Sequence, residues 1–122
     1  MFFPQGGVRV FVYGRPTDMR KSYDGLYGLT RNVLEEDPLS GHVFVFINRR
    51  ATMLKALYFD RDGFCIWSKR LEQGRFLRQW SDIIKRELSC MDFRLLLDGI
   101  EPREVKKHRR YSRKEVEQRT RL

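Results

Sequence analysis

This sequence is poor in metal-binding residues and in long apolar runs. It has two cysteines and two histidines among 122 residues, and they show no C-x-x-C or H-x-x-x-H spacing. That pattern predicts no metal site. No apolar run approaches the roughly 18 to 20 residues that a membrane helix needs. We therefore expect a cytoplasmic protein with reduced thiols and no membrane partner.

The common catalytic motifs are also missing. There is no Gly-x-Ser-x-Gly elbow and no Gly-Lys-Ser/Thr phosphate loop. Asp60 and Asp62 are close enough in sequence to hold Mg²⁺ as nuclease carboxylates do, but the adjoining Gly63 favours a hairpin turn instead. We predict a non-enzymatic protein with no cofactor and no small-molecule substrate. A Mg²⁺-dependent nuclease using Asp60 and Asp62 is the weakest alternative.

Positive charge is what the sequence has in excess. Lys and Arg total 25 against 16 Asp and Glu, giving a formal net charge of +9 and a pI of about 10.0. Eighteen of the 25 cations are arginines, whose guanidinium group can bind a phosphate through two parallel hydrogen bonds. The composition indicates an anionic partner, and nucleic acid is the first candidate.

Apolar patterning predicts an α+β fold. Val8 to Tyr13 has the β-branched and aromatic content of a strand, and apolar residues at helical spacing predict a helix from Ser22 to Glu36. Three further strands are predicted over Val43 to Ile47, Leu54 to Phe59 and Phe64 to Trp67. We expect one small domain with an antiparallel sheet of about four to five strands, joined by short turns.

The C-terminal third is less regular. Some strand character occurs around Phe76 to Trp80, and Ser89-Cys90-Met91-Asp92 resembles a capping box for a short helix that ends at Gly99. Residues 101–122 hold nine Lys or Arg and four Glu, with few apolar residues. We predict a domain over residues 1–100 and a basic, flexible tail over residues 101–122.

Several basic clusters fall at predicted strand ends. In an antiparallel meander, the turn after Ile47 and the end of the strand that begins at Phe64 meet at one end of the sheet. Aromatic residues interleave with these cations, but so small a domain needs most of them for its core. The candidate nucleic-acid or partner contacts are Arg20, Lys21, Arg49, Arg50, Lys55, Lys69, Arg70 and Arg75.

Blocks of residues resemble a known family. Thr17-Asp18-Met19-Arg20-Lys21-Ser22, Trp67-Ser68-Lys69-Arg70-Leu71 and Leu96-Leu97-Asp98-Gly99-Ile100 are among them. In order and density they resemble the TnpB-type accessory protein of the insertion-sequence-sixty-six family of transposable elements, over residues 8 to 100. This is not the RNA-guided nuclease of the same name. The resemblance implies a role beside a separate transposase of the same element and implies no catalytic residue.

Two functional hypotheses follow. In the first, an accessory protein for transposition assists the transposase by binding DNA through its Arg- and Lys-rich edge. In the second, the same charged edge binds acidic patches of the transposase, as a protein adaptor without direct DNA contact. The sequence leaves the oligomeric state and the DNA sequence open.

Overall fold

The computed structural model describes residues 6–77 and 80–99, which form one mixed sheet with helices on both faces. The strands lie in the order β4-β3-β2-β1-β5. They are β1 (Val10–Tyr13), β2 (Val43–Ile47), β3 (Met53–Asp60), β4 (Gly63–Arg70) and β5 (Lys85–Leu88). The helices are α1 (Tyr23–Gly28), which continues as a π-helical segment (Leu29–Val33), and α2 (Cys90–Leu97). No helix in these ranges is long and apolar enough to cross a membrane.

The predicted α+β fold is confirmed, and its sheet has five strands where about four to five were predicted, with one correction to the strand pairing. β1 and β2 run parallel, with Val10 opposite Val43 and Val12 opposite Val45, so the sheet is not wholly antiparallel. The cause is the connection between them, because α1 and the π-helical segment form a crossover that returns the chain to the same end of the sheet. The predicted hairpins between β2 and β3 and between β3 and β4 are antiparallel, as expected.

The first helix is shorter and wider than predicted. The helical spacing predicts Ser22 to Glu36, but the helix ends at Val33. The Leu34 amide donates to the Leu29 carbonyl at 2.9 Å, a bond that spans five residues instead of four. Glu35 then takes a φ of 55° in the left-handed region, which no helix can continue.

The fifth strand lies later in the chain than its predicted position. The described residues of the segment from Phe76 to Trp80 are not in a strand, and the Phe76 side chain is buried in the core. Lys85–Leu88 instead pairs antiparallel with β1. Three of its four residues are charged, which hid it from an apolar pattern. The cap of α2 is confirmed, since the Ser89 hydroxyl accepts from the Asp92 amide at 3.0 Å.

Two apolar cores lie on opposite faces of the sheet. On one face, Val12, Val45 and Leu54 pack with Phe93 and Leu96 of α2. The other core is covered by α1 and the π-helical segment and contains Phe11, Leu26, Leu34, Phe44, Phe46 and Leu57. Phe44 and Phe46, two of the aromatic residues that interleave with the basic clusters in sequence, are fully buried here and belong to the core.

The strand directions give the sheet two chemically different ends. At one end β1, β2 and β4 finish while β3 and β5 begin. The segment 80–84, which precedes β5 and includes the exposed Asp82, lies at this end beside Gly14. The other loops there are residues 14–21, 48–52 and 71–76, and we call these three loops the basic end of the sheet. It contains the residues that the sequence singled out.

Candidate functional site

Backbone hydrogen bonds join the three loops of the basic end. The Thr17 amide donates to the Ile47 carbonyl at 2.8 Å, which holds the loop after β1 against the end of β2. The Leu71 and Phe76 amides donate to the carbonyls of Thr52 and Ala51, at 2.8 and 2.6 Å. The segment after β4 therefore lies against the turn between β2 and β3. The predicted convergence of the Arg49-Arg50 turn with the end of β4 is confirmed.

The turn between β2 and β3 is held by the side chain of Asn48. Its Oδ1 accepts from the amides of Thr52 at 2.9 Å and Met53 at 3.0 Å. Arg49 and Arg50 occupy the exposed tip of this turn. Within residues 6–77 and 80–99, neither guanidinium has an acidic or hydrogen-bonded partner. The two arginines are thus presented to solvent on a fixed turn.

Two of the predicted contact lysines are used inside the fold. The Lys55 Nζ donates to the carbonyls of Met19 and Lys21, both at 2.8 Å, and joins β3 to the loop before α1. The Lys69 Nζ donates to the Leu97 carbonyl at 2.8 Å, at the C-terminus of α2, where a cation is favoured by the helix dipole. The Lys55 ammonium therefore positions a loop of the basic end, and the Lys69 ammonium holds the end of α2 against β4.

We expect Lys55→Met to destabilise the protein by about 2–3 kcal/mol. The substitution keeps the apolar stem but leaves two carbonyls without their charged donor. The measurement is urea denaturation, with Lys21→Met as the matched control. Lys21 is exposed and its ammonium has no partner among the residues described here. An equal loss of stability in both variants would contradict the positioning role of Lys55.

Two of the predicted arginines form ion pairs at the surface. Arg20 contacts Asp18, with 2.6 Å between Nη2 and Oδ2, and Arg70 contacts Glu72 at 3.0 Å. The Arg20 side chain is 91% exposed and that of Arg70 is 68% exposed. Ion pairs this exposed are weak, since water and salt screen them. A stronger anion can therefore compete for either arginine.

The ion pair with Arg20 also keeps Asp18 charged in acid. The side-chain hydrogen bond from Arg20 is the main cause that lowers the pKa of Asp18 from 3.8 to about 2, followed by the bond from the Arg20 amide. Since this pKa is lowered by folding, the pair contributes stability above about pH 4. The contribution is lost as the pH falls through about 2.

We expect a carboxyl-carbon NMR titration to give Asp18 a midpoint of about 2. In Arg20→Gln the midpoint should rise towards 3.8, because both charge and the side-chain donor are reduced. The variant keeps the backbone amide that donates to Asp18 at 2.9 Å. An unchanged midpoint in the variant would show that Arg20 is not the cause.

The remaining candidates are cations without acidic partners. Arg75 is exposed beside Phe76, and Lys21 is exposed before α1. Sequence reasoning missed Arg15, which is exposed directly after β1 in the same group of loops. The position of Gly14-Arg15-Pro16 at a strand end was the signal that could have identified it. Like Arg49 and Arg50, these three have no ion pair within the described ranges.

The opposite end of the sheet has mixed charge, with acidic and basic side chains side by side. Asp60 and Asp62 flank Arg61 in the tight turn between β3 and β4, as the turn prediction required. Arg9, on that side, is bound by both carboxylate oxygens of Glu87 at 3.0 and 2.6 Å. No three His, Cys, Asp or Glu side chains in the described part of the chain lie close enough to share a metal ion.

The last described residue lies at the basic end. A Cβ at Gly99 would be 3.1 Å from the Arg75 carbonyl oxygen, and its φ of 77° is one that glycine adopts without strain. The basic tail predicted over residues 101–122 lies outside the described residues, as does Arg78. In the sequence, the segment 101–122 with its nine Lys and Arg residues begins two residues after Gly99.

Comparison with known proteins identifies relatives over the same part of the chain. The family described as IS66 Orf2 like protein matches residues 8–107. Uncharacterized protein y4jC of Sinorhizobium fredii (strain NBRC 101917 / NGR234) is 33% identical over 107 residues, 88% of this chain and 92% of that protein. Uncharacterized protein y4hO of the same strain is 36% identical over 99 residues, 80% and 86% of the two chains. No solved structure matches significantly.

The family match spans every strand and helix described above and all three loops of the basic end. It confirms the resemblance drawn from the blocks around Arg20, Lys69 and Gly99. The family is one of accessory proteins and is not a known enzyme family. This chain therefore belongs to the IS66 Orf2-like family, whose role is associated with the transposition of insertion sequences.

Proposed function

We propose that this protein assists the transposase of its element by binding DNA through the basic end of the sheet. The observation that carries the proposal is the convergence of unpaired cations. Loops distant in sequence bring Arg49, Arg50 and Arg75 together, and these residues have no acidic partner in the part of the chain described. Lys21 and Arg15 are also exposed, in the loop that follows β1.

The charge distribution suits a polyanion better than a single small anion. Double-stranded DNA carries a negative charge about every 3.4 Å of axis on each strand, so several separated cations can be neutralised at once. The exposed partners Asp18 and Glu72 offer little competition, because each already contacts an arginine of its own. Arg20 and Arg70 can exchange these carboxylates for phosphates when DNA approaches.

The test is the affinity of the full chain for duplex DNA, measured by fluorescence anisotropy over a series of salt concentrations. The logarithm of the binding constant should fall linearly with that of the salt concentration, by about 0.9 for each phosphate neutralised. Four or more contacts therefore give a slope steeper than about −3.5. A flat response, or no binding at low salt, would refute DNA binding.

One observation favours the adaptor alternative. β4 lies at the edge of the sheet and, among the residues described, pairs only with β3. An edge strand of eight residues presents main-chain groups to which a strand of another protein can be added. Capture of the element's transposase after nuclease treatment, by wild type and by an Arg49/Arg50→Gln variant, separates the two. Nuclease-resistant capture by wild type would favour the adaptor. Its persistence in the variant would indicate contact through β4, and its loss would indicate contact through the charged edge.

A further inference from the structure

The basic end contains a cleft between two of its loops. It is open to solvent, has a volume of about 480 Å³, and is lined by residues 16–19 and 48–50. One wall is the segment that follows β1, and the other is the turn that carries Arg49 and Arg50. The bond from the Thr17 amide to the Ile47 carbonyl fixes the base of the first wall against β2.

A buried hydroxyl in this cleft has no hydrogen-bond partner. Thr17 is only 4% exposed, and its Oγ1 is the one buried side-chain polar atom without a partner among the described residues. An unsatisfied buried hydroxyl costs free energy in the folded protein, and such exceptions occur often at functional positions. The oxygen is closed off from solvent, so a ligand in the cleft reaches it only after rotation about the Cα–Cβ bond turns the hydroxyl outward.

The groups around the cleft select an anion. Arg49 and Arg50 line it and have no acidic partner in the ranges described, so their donors are available. Asp18 is the only acidic residue in the lining, and three side-chain bonds from Arg20 occupy both of its oxygens. The side chain of Asn48 holds the turn, since its Oδ1 accepts from two backbone amides and its Nδ2 donates to the Thr52 hydroxyl at 3.3 Å. The groups left to bind a ligand are the donors of Arg49 and Arg50 and the Thr17 hydroxyl, and such donors suit an oxyanion.

We propose that this cleft binds one phosphate group of a DNA backbone, with Arg49 and Arg50 supplying charge and the Thr17 hydroxyl supplying a directional hydrogen bond. The inference rests on the proposed DNA contact and adds a defined position for one phosphate to it. Hydrogen bonds of the turn and the loop hold the backbone of these residues in place before the ligand arrives, which reduces the entropy lost on binding. The protein therefore has a preferred register on the backbone rather than a diffuse charged contact.

The test is Thr17→Val, which removes the hydroxyl and keeps the size and branching of the side chain. Affinity for duplex DNA at constant salt should fall about tenfold, as expected when one hydrogen bond to a charged group is lost. The slope of affinity against salt should not change, because no charge is removed. The urea midpoint of the free protein should stay the same or rise, because an unsatisfied group has been removed.

Thr30→Val is the matched control. Thr30 is also buried, but its hydroxyl donates to the Leu26 carbonyl at 2.9 Å, from the π-helical segment back to α1, and Thr30 does not line the cleft. We expect the opposite result, a lower urea midpoint with unchanged DNA affinity. If Thr17→Val behaves in the same way as this control, Thr17 is a structural residue and the inference is overturned.

A second measurement separates this inference from the proposed function. Inorganic phosphate is titrated at constant ionic strength against chloride, and the methyl NMR signals of threonines are followed. Shifts at Thr17 in a protein that also binds DNA support the phosphate position. Shifts without DNA binding refute DNA as the source of the phosphate. DNA binding by both wild type and Thr17→Val with equal affinity, and no phosphate shift, overturns the cleft but leaves the DNA contact standing.

Discussion

Replacing Arg49 and Arg50 by glutamine is expected to weaken binding to duplex DNA on the order of 10- to 100-fold at about 0.1 M salt. Both side chains lie exposed at the tip of one turn and have no acidic partner within the described ranges. If each neutralises one phosphate, the double variant loses about 1.8 from the slope of affinity against salt. The turn itself should persist, since it is held by Asn48.

The matched control is an Arg31/Arg61→Gln double variant. It removes the same charge from two exposed positions outside the basic end, on the π-helical segment and in the turn between β3 and β4. If the lower net charge alone weakened binding, the two double variants would lose the same DNA affinity. We expect the control to bind within about twofold to threefold of wild type, since distant charges are screened at this salt concentration.

The second large effect concerns the core that holds the basic end in place. Phe44→Ala is expected to destabilise the protein by about 3–5 kcal/mol. Its ring is fully buried at the centre of the sheet and stacks on Phe11 at 5.8 Å between ring centroids. For a domain of this size the melting temperature should fall by about 12 °C or more. Thermal denaturation followed by circular dichroism measures it.

Leu39→Ala serves as the control for this loss, because Leu39 is 53% exposed in the loop before β2. Its effect should remain within about 0.5 kcal/mol. Below the melting temperature, the Phe44→Ala variant should retain its DNA affinity, since no group at the basic end is altered. If Phe44→Ala lowered the free energy of unfolding by less than about 1 kcal/mol, the packing of β2 between the two cores would be contradicted.

The central strands could be predicted from sequence because their physical signal is local. Val43 to Ile47 is an unbroken apolar run, and all five side chains are buried, as a strand covered on both faces requires. The turn at Asp62-Gly63 was equally clear. β5 could not be predicted in this way. This edge strand buries only one of its four residues, Leu88, and its other three side chains are charged.

The parallel pairing of β1 and β2 is a tertiary feature that local pattern does not contain. The crossover through α1 and the π-helical segment determines it, and the π-helical turn at Leu29 has no known signature in the apolar spacing. The same limit applies to the candidate site. The sequence predicted that the Arg49-Arg50 turn and the end of β4 meet, but it could not show that Lys55 and Lys69 are used by backbone carbonyls.

The most direct test of the basic end as the DNA-binding surface is hydrogen–deuterium exchange of the full chain with and without duplex DNA. We predict that DNA slows amide exchange in residues 14–21, 48–52 and 71–76, and leaves the turn between Asp60 and Gly63 unchanged. Slower exchange at that acidic turn, with no change at Arg49 and Arg50, would contradict the account.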